Sequence, residues 1–183
     1  DHTTGLALAS GILGGIIKAK NTGIGEKIVV SLYGTSIWAN SLMIIGTQFG
    51  VEYPQSRYAP GNPLINSYLC RDGKWITLTV LAYERYWDAF CDIFGLDDIK
   101  NDPDYRTLKS VVADKDRLEH CCRRIEEQFI LNDREYWAEK LTEADIAFER
   151  TLQWKDIATD EQAIANNYVK EFKMKSGRSF MLP

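Results

Sequence analysis

The sequence has 183 residues, 45% of them hydrophobic, with 22 Lys and Arg against 26 Asp and Glu for a formal net charge of −4. That is chain enough for one domain or two small ones, and apolar enough for a buried core. The weak acidic balance leaves no basic face, which excludes a nucleic-acid footprint.

Asp1-His2-Thr3-Thr4-Gly5 opens the chain at the mouth of an apolar helix predicted over Thr3 to Lys20. Gly11, Gly14 and Gly15 punctuate it and permit close approach of a neighbouring backbone. They also break the run Leu6 to Ile17, which is too short to span a bilayer. An aspartate in that place is most simply an N-cap, accepting from free N–H groups of the first turn. Asn21-Thr22-Gly23 stops the helix, and Thr22-Gly23-Ile24-Gly25-Glu26 forms a tight turn. Lys27 to Leu32 follows as a strand with Ile28-Val29-Val30 buried, and Tyr33 to Phe49 reads as a second helix. From His2 to Gly50 the charged residues are Lys18, Lys20, Glu26 and Lys27, so both helices are expected to be enclosed by other structure.

Val51 to Pro63 is an extended linker holding Pro54, Pro60, Gly61 and Pro63, with Tyr53, Arg57 and Tyr58 between them. Ile65 to Cys70 and Trp75 to Val80 flank Arg71-Asp72-Gly73-Lys74, a hairpin whose Asp-Gly pair is expected at positive φ. Tyr83 to Phe94 is a helix with Trp87, Phe90, Cys91 and Phe94 on one face, and Asp102-Pro103 breaks the chain after it. Asp114 to Phe129 is an amphipathic helix with Leu118, Cys121, Cys122, Ile125 and Phe129 inward. Its other side, with His120, Arg123, Arg124, Glu126 and Glu127, reads as solvated. Asn132 is the expected N-cap of a helix over Asp133 to Thr142, with Glu135 completing a capping box. Ile146 to Phe148 is a short strand, Asp160 to Asn166 a short helix, and Tyr168 to Met174 pairs with Ser179 to Leu182 across Ser176-Gly177.

The fold class is therefore α/β. Residues 1–50 read as a fragment of a large α/β domain, 51–63 as a linker, 64–166 as a small α+β domain, and 167–183 as a hairpin returning toward the first piece. Cys70, Cys91, Cys121 and Cys122 lack C-x-x-C spacing and nearby paired histidines, so no metal is expected and the thiols are read as reduced, in a soluble cytoplasmic protein.

The order of the first pieces resembles the catalytic segment of the family III CoA-transferases. That group holds the formyl-CoA and carnitine CoA-transferases and the 2-methylacyl-CoA racemases. There a Gly-Asp pair supplies a nucleophilic aspartate, followed by a glycine-rich helix and a Thr-Gly-x-Gly-Gln/Glu turn into a strand. Here Asp1 falls on the aspartate, Gly5 on the small residue at the start of the helix, and Thr22, Gly23, Gly25 and Glu26 on the turn. The resemblance covers essentially the whole chain. It implies a central-to-C-terminal fragment whose N-terminal half, a nucleotide-fold segment, and C-terminal tail lie outside it. It also implies a large nucleotide-fold domain interrupted by a small one, with two chains interlocked as rings in a homodimer.

For function the resemblance implies CoA transfer between an acyl-CoA and a carboxylic acid, with no bound cofactor and the CoA thioester as substrate. Asp1 would attack the thioester carbonyl to give a mixed anhydride and CoA thiolate. The thiolate would then attack the aspartyl carbonyl to give an enzyme-CoA thioester, and an incoming acid would run the steps in reverse. A helix N-terminus beside Asp1 suits the developing oxyanions. This chemistry has no hydroxyl to deprotonate, so His2 is assigned with Gly5 and Gly61 to the wall of the substrate pocket. A 2-hydroxy acid is the expected acceptor.

The sequence departs from the family pattern in two places. The glycine run that closes over the nucleophile in several transferases is reduced to Gly61 within Ala59-Pro60-Gly61-Asn62-Pro63. The glutamate that supports a catalytic histidine in the racemases corresponds to Ala82. A racemase needs an acid/base pair, so racemisation stands second, and a non-catalytic structural fragment third.

Overall fold

The computed structural model describes residues 1–183, which form two compact units, Asp1–Gln55 and Ser56–Pro183. No helix is long and apolar enough to cross a membrane.

In the first unit α1 spans His2–Thr22. It stops where Gly23 takes a left-handed φ of 73° and its N–H reaches back to the Ala19 carbonyl at 2.8 Å. A side chain there would cost roughly 1–2 kcal/mol. The Thr22 hydroxyl fastens the turn, donating to the Lys18 carbonyl at 2.8 Å and accepting from the Ile24 N–H at 3.2 Å. Lys18 pairs with Glu26 at 2.5 Å. The chain is thereby sent back along α1. A Cβ on Gly11 would stand 2.8 Å from Ile28 Cγ2, and one on Gly15 would stand 3.2 Å from Ile28 Cδ1. These two glycines, about one turn apart, make the groove that Ile28 fills.

Two expectations fail in this unit. Residues 24–31 are extended but unpaired, so the strand predicted around Ile28 to Val30 does not form. A strand exists through its hydrogen-bonded neighbour, and the segment beside it is the helix α1, which offers no strand edge to pair with. The single helix predicted from Tyr33 to Phe49 is two, α2 at Leu32–Ala39 and α3 at Ser41–Gln48. Asn40 separates them at φ −102°, ψ 15°. Its side-chain amide donates to the Ser36 carbonyl at 2.8 Å, the same oxygen its backbone N–H uses at 3.1 Å. Such local competition is why Asn interrupts helices. The enclosure expected of this charge-poor stretch does not come from the chain itself: α1, α2 and α3 bury no residue, and Leu6, Leu13, Ile17, Leu42 and Phe49 are 61–84% exposed.

The second unit is built on a three-stranded antiparallel sheet, β1 at Ser67–Leu69, β2 at Trp75–Leu78 and β3 at Phe148–Thr151, in that order. Tyr68, Ile76 and Leu78 point inward, as period-2 alternation requires. Against them pack α4 (Tyr83–Phe94), α7 (Lys115–Phe129) and α8 (Arg134–Glu143), with the short α5 (Asp97–Lys100) and α6 (Leu108–Val112) between. The predicted inward faces of α4 and α7 are buried residue for residue, with Tyr83 added. Phe94 lies 4.6 Å from Phe129 and 4.4 Å from Trp137 between ring centroids, and Tyr68 stacks on Phe129 at 5.1 Å. The buried Trp137 Nε1–H is satisfied by the Phe129 carbonyl at 2.8 Å. After β3 come a 3-10 turn at Ile157–Thr159, α9 at Glu161–Ala165 capped by Asp160, and the hairpin of β4 (Lys170–Lys173) with β5 (Ser179–Leu182).

The turn between β1 and β2 differs from expectation. Gly73 has φ 72° and Asp72 does not share the positive region. The Gly73 N–H reaches the Cys70 carbonyl at 3.0 Å and the Cys70 N–H reaches Lys74 at 2.8 Å, a longer turn closed by a glycine bulge. Asp72 is left free to act elsewhere. Its Oδ1 accepts from the Lys74 N–H at 3.4 Å and from the Arg134 N–H, the first residue of α8, at 3.3 Å. Burial alone would raise the Asp72 carboxyl, but those N–H groups and the Lys74 ammonium bring it below the ordinary value. Asn132 is consequently not the cap of α8, whose N-cap position is Asp133 with no side-chain cap bond, and Glu135 turns instead to Arg134 and Arg150. The strand predicted at Ile146 to Phe148 begins two residues later: the Ile146 N–H reaches back to the Leu141 carbonyl in α8 at 2.9 Å, and the ladder with β2 starts at Phe148.

Candidate active site

Asp1, His2 and Gly5 share the first turn of α1 and all three are exposed. Asp1 is the N-cap residue by position: its backbone carbonyl accepts from the Gly5 N–H at 2.8 Å, while its carboxylate makes no capping bond. The plain cap expected from the sequence is thus not formed. The N–H groups of the first turn have no intrahelical acceptor and stand beside a carboxylate that leaves them unclaimed. A Cβ on Gly5 would meet nothing within 4 Å, so the surface at this turn is open. Residues 24–31 return alongside α1 toward this end, where Ala7, Val29, Val30, Ser31, Gly34, Thr35 and Trp38 line a shallow cleft of about 260 Å³.

Gly61 belongs to the second unit and is exposed; its φ is not in the positive region and a Cβ there would meet nothing within 4 Å. Neither backbone nor neighbours demand a glycine at this place. Its neighbour Asn62 is the buried polar residue of the chain, 5% exposed. Asn62 Nδ2 donates to the Val80 carbonyl at 3.0 Å and its Oδ1 accepts from the Leu64 N–H at 2.8 Å. The sequence reading passed over Asn62. An Asn between Gly and Pro is a turn signal, and only the fold shows that the turn is locked onto Val80, two residues past the end of β2.

CoA-transferase family III matches residues 1–182 of the chain. The chain belongs to that family. It is 35% identical over 182 residues to the (R)-2-hydroxy-4-methylpentanoate CoA-transferase of Clostridioides difficile, covering all of this chain and 45% of the relative. It is 33% identical over 181 residues to the cinnamoyl-CoA:phenyllactate CoA-transferase of Clostridium sporogenes, covering 97% of this chain and 43% of that one. The chain therefore spans a little under half the length of these relatives. In fold it is similar to a CAIB/BAIF family protein from Brucella suis (TM-score 0.74, 18% identity, 92% of this chain and 44% of that one). It is likewise similar to Rv3272 from Mycobacterium tuberculosis (TM-score 0.72, 14% identity, 98% and 46%).

Within this family III chain the other reactive side chains are engaged. All four cysteines are free and buried. Burial pushes the Cys70 and Cys91 thiols up to about 12 and Cys122 to about 11, and raises Cys121 as well. Thiols so held are protonated at neutral pH and are poor nucleophiles. No group of three or more His, Cys, Asp or Glu is placed to hold a metal ion. Ala82 caps α4 by position, and Glu84, the nearest carboxylate after it in sequence, accepts from the Leu108 N–H at 2.9 Å. His120 is exposed with Nδ1 2.8 Å from the Tyr105 hydroxyl.

The thiols give a first prediction. Their folded pKa values lie above the unfolded value of about 8.5, so the unfolded chain loses these protons first. Their contribution is complete below about pH 8.5 and stability falls as pH rises toward the folded values. Thermal melts at pH 7.5 and pH 10 are expected to show the loss. Iodoacetamide at pH 8 should label the four thiols after unfolding and spare them before it. Rapid labelling of the native chain would contradict the burial.

Proposed function

We propose that this chain supplies the nucleophile and the small domain of a CoA-transferase that moves CoA from an acyl-CoA to a carboxylic acid, through Asp1. One observation carries the reading. In a chain 35% identical along its whole length to a relative named for CoA transfer, Asp1, the residue the resemblance assigns as nucleophile, holds the N-cap position of a 21-residue helix and its carboxylate makes no capping bond. A carboxylate is the right nucleophile because its acyl derivatives lie close in energy to a thioester. The exposed N–H groups of the first turn stabilise oxyanions as they form. Attack by Asp1 breaks the C–S bond, giving a mixed anhydride and CoA thiolate. The thiolate adds to the aspartyl carbonyl and expels the first acid. The second acid then displaces CoA, which is returned to it. His2, Gly5 and Gly61 are assigned to substrate binding.

Both relatives carry a 2-hydroxy acid in their names, which supports a 2-hydroxy acid as acceptor here. The uncovered apolar residues of α1 to α3 support an interlocked homodimer whose full-length chains also provide the N-terminal half. The test uses the longer protein. Double-reciprocal plots are expected to be parallel, the pattern of a covalent intermediate. Borohydride in the presence of acyl-CoA should reduce an aspartyl thioester at Asp1 to the alcohol. Intersecting lines together with no trapped adduct would end the reading, and deuterium wash-in at the α-carbon would replace it with racemisation.

A further inference from the structure

The cleft beside the first turns of α1 is built from a single face of α2 and its cap. Ser31, Gly34, Thr35 and Trp38 line it at spacings of i, i+3, i+4 and i+7, with Ala7, Val29 and Val30 on the other side. Ser31 and Gly34 are tied to one another. The Ser31 hydroxyl oxygen accepts from the Gly34 N–H at 2.9 Å, and a Cβ on Gly34 would stand 2.8 Å from that oxygen. The cap therefore keeps a side chain off the cleft at this position. No charged side chain lines the cleft. Lys18, Lys20, Glu26 and Lys27, the charged residues between His2 and Gly50, belong to the far end of α1 and the turn after it. Such a lining suits neither the phosphates of CoA nor a carboxylate.

Size and place narrow the occupant. Pockets that hold a whole drug-sized ligand start at about 300 Å³, and this cleft measures about 260 Å³, so it takes part of a substrate. Ala7 stands six residues after Asp1 at the start of α1, about 9 Å along the axis by the helical rise. Both residues belong to the first unit, and an acyl chain held at the Asp1 carboxylate spans that distance. We propose that this cleft is a side-chain subsite: it seats the apolar side chain of the donor's acyl group and then that of the acceptor acid, with Thr35 setting its depth and Trp38 forming an aromatic wall. The substrates it selects carry a branched or aromatic side chain in preference to a methyl group. This rests on the reading that Asp1 is the carboxylate acylated in CoA transfer.

The test uses the full-length protein and two ligands that differ by a benzyl group, 3-phenylpropanoyl-CoA and acetyl-CoA. Equilibrium binding is read first, with Asp1→Ala as a common background so that neither ligand is turned over. Thr35→Leu, which fills the cleft, is expected to lower the preference for the benzyl-bearing ligand, read as the ratio of the two Kd values, by about tenfold. Trp38→Ala, which removes the wall, is expected to lower it by a similar factor. Trp38 is 76% exposed, so its truncation spares the fold and decides the matter if Thr35→Leu does not fold. Trp154→Ala, at an exposed position of the second unit, is expected to leave the ratio unchanged. Turnover with Asp1 restored is read second, as the ratio of kcat/KM for 2-hydroxy-3-phenylpropanoate over 2-hydroxypropanoate as acceptor, and the same falls are expected. Each ratio is taken within one preparation, so a lower folded fraction cancels. An unchanged Kd ratio overturns the proposal. So does an equal loss of both ligands, which would put the shared pantetheine arm or a protein contact in the cleft. Kd ratios that shift while kcat/KM ratios do not overturn its role in choosing the acceptor. The expected Kd ratios in a parent that transfers no CoA uphold the cleft and end the transferase reading, whereas a protein that binds neither ligand ends both.

Discussion

Replacing Asp1 with alanine in the longer protein is expected to reduce CoA transfer to background, a loss on the order of 10⁴-fold or more, because the proposed covalent route runs through that carboxylate. Stability is expected to stay nearly constant. A helix cap is typically worth about 1 kcal/mol, but the Asp1 carboxylate makes no capping bond, so its removal forfeits less than that. The combination is diagnostic: lost activity, retained thermal midpoint, and no adduct at residue 1 by mass spectrometry. Residual transfer within tenfold of the parent would show that another carboxylate is acylated.

The second large effect lies in the small domain. Phe129 is fully buried and its ring meets Tyr68, Phe94 and Trp137. Phe129→Ala is expected to destabilise this unit by about 3–5 kcal/mol, the transfer term of the ring plus a cavity between rigid aromatic neighbours. In a unit of this size that corresponds to a thermal midpoint lower by roughly 10–20 °C. Trp154, which is 96% exposed, is the control. Its replacement by alanine is expected to stay within about 0.5 kcal/mol. A loss below about 1 kcal/mol at Phe129 would mean that the aromatic cluster repacks freely.

The helices of the small domain were legible because their signals are local. The inward residues of α4 and α7 recur at helical spacing, so period alone placed Phe90, Phe94, Cys121 and Ile125 in the core. The features that were not legible depend on distant partners. Asp72 replaces Asn132 at the start of α8, and the two residues that meet are 62 apart. Glu126 looked like one more charge on a wet face until Arg57 and Tyr58 came to it from the linker. The Ile28 segment has every preference of a strand and no neighbour to pair with. At the candidate site, the Thr-Gly-x-Gly-Glu turn was readable as a motif, and the structure gives a physical reason for Thr22 through its two bonds and for Gly23 through its left-handed φ, but none for Gly25, where a Cβ would meet nothing within 4 Å. Asp1 was readable as an acidic residue at a helix start, although whether it caps the helix could be answered only by geometry. Gly61 has no local reason to be glycine, so its assignment rests on the family pattern.

The sheet of the small domain also dictates an order of assembly. A ladder of hydroxyls crosses it, Ser67 to Thr77 at 2.9 Å between residues 10 apart in sequence and Thr77 to Thr151 at 2.8 Å between residues 74 apart. Closing the second loop from an open chain costs about 2 kcal/mol more entropy than closing the first. The β1–β2 hairpin can therefore form early, whereas β3 gains its place once the intervening helices have shortened the path. During synthesis β2 keeps an open edge until Phe148 to Thr151 has emerged. A chain ended before Phe148 would retain that edge, and unpaired edges recruit other chains. Truncations on the two sides of this point should accordingly differ in how much material is recovered soluble, with the shorter one lost to aggregation.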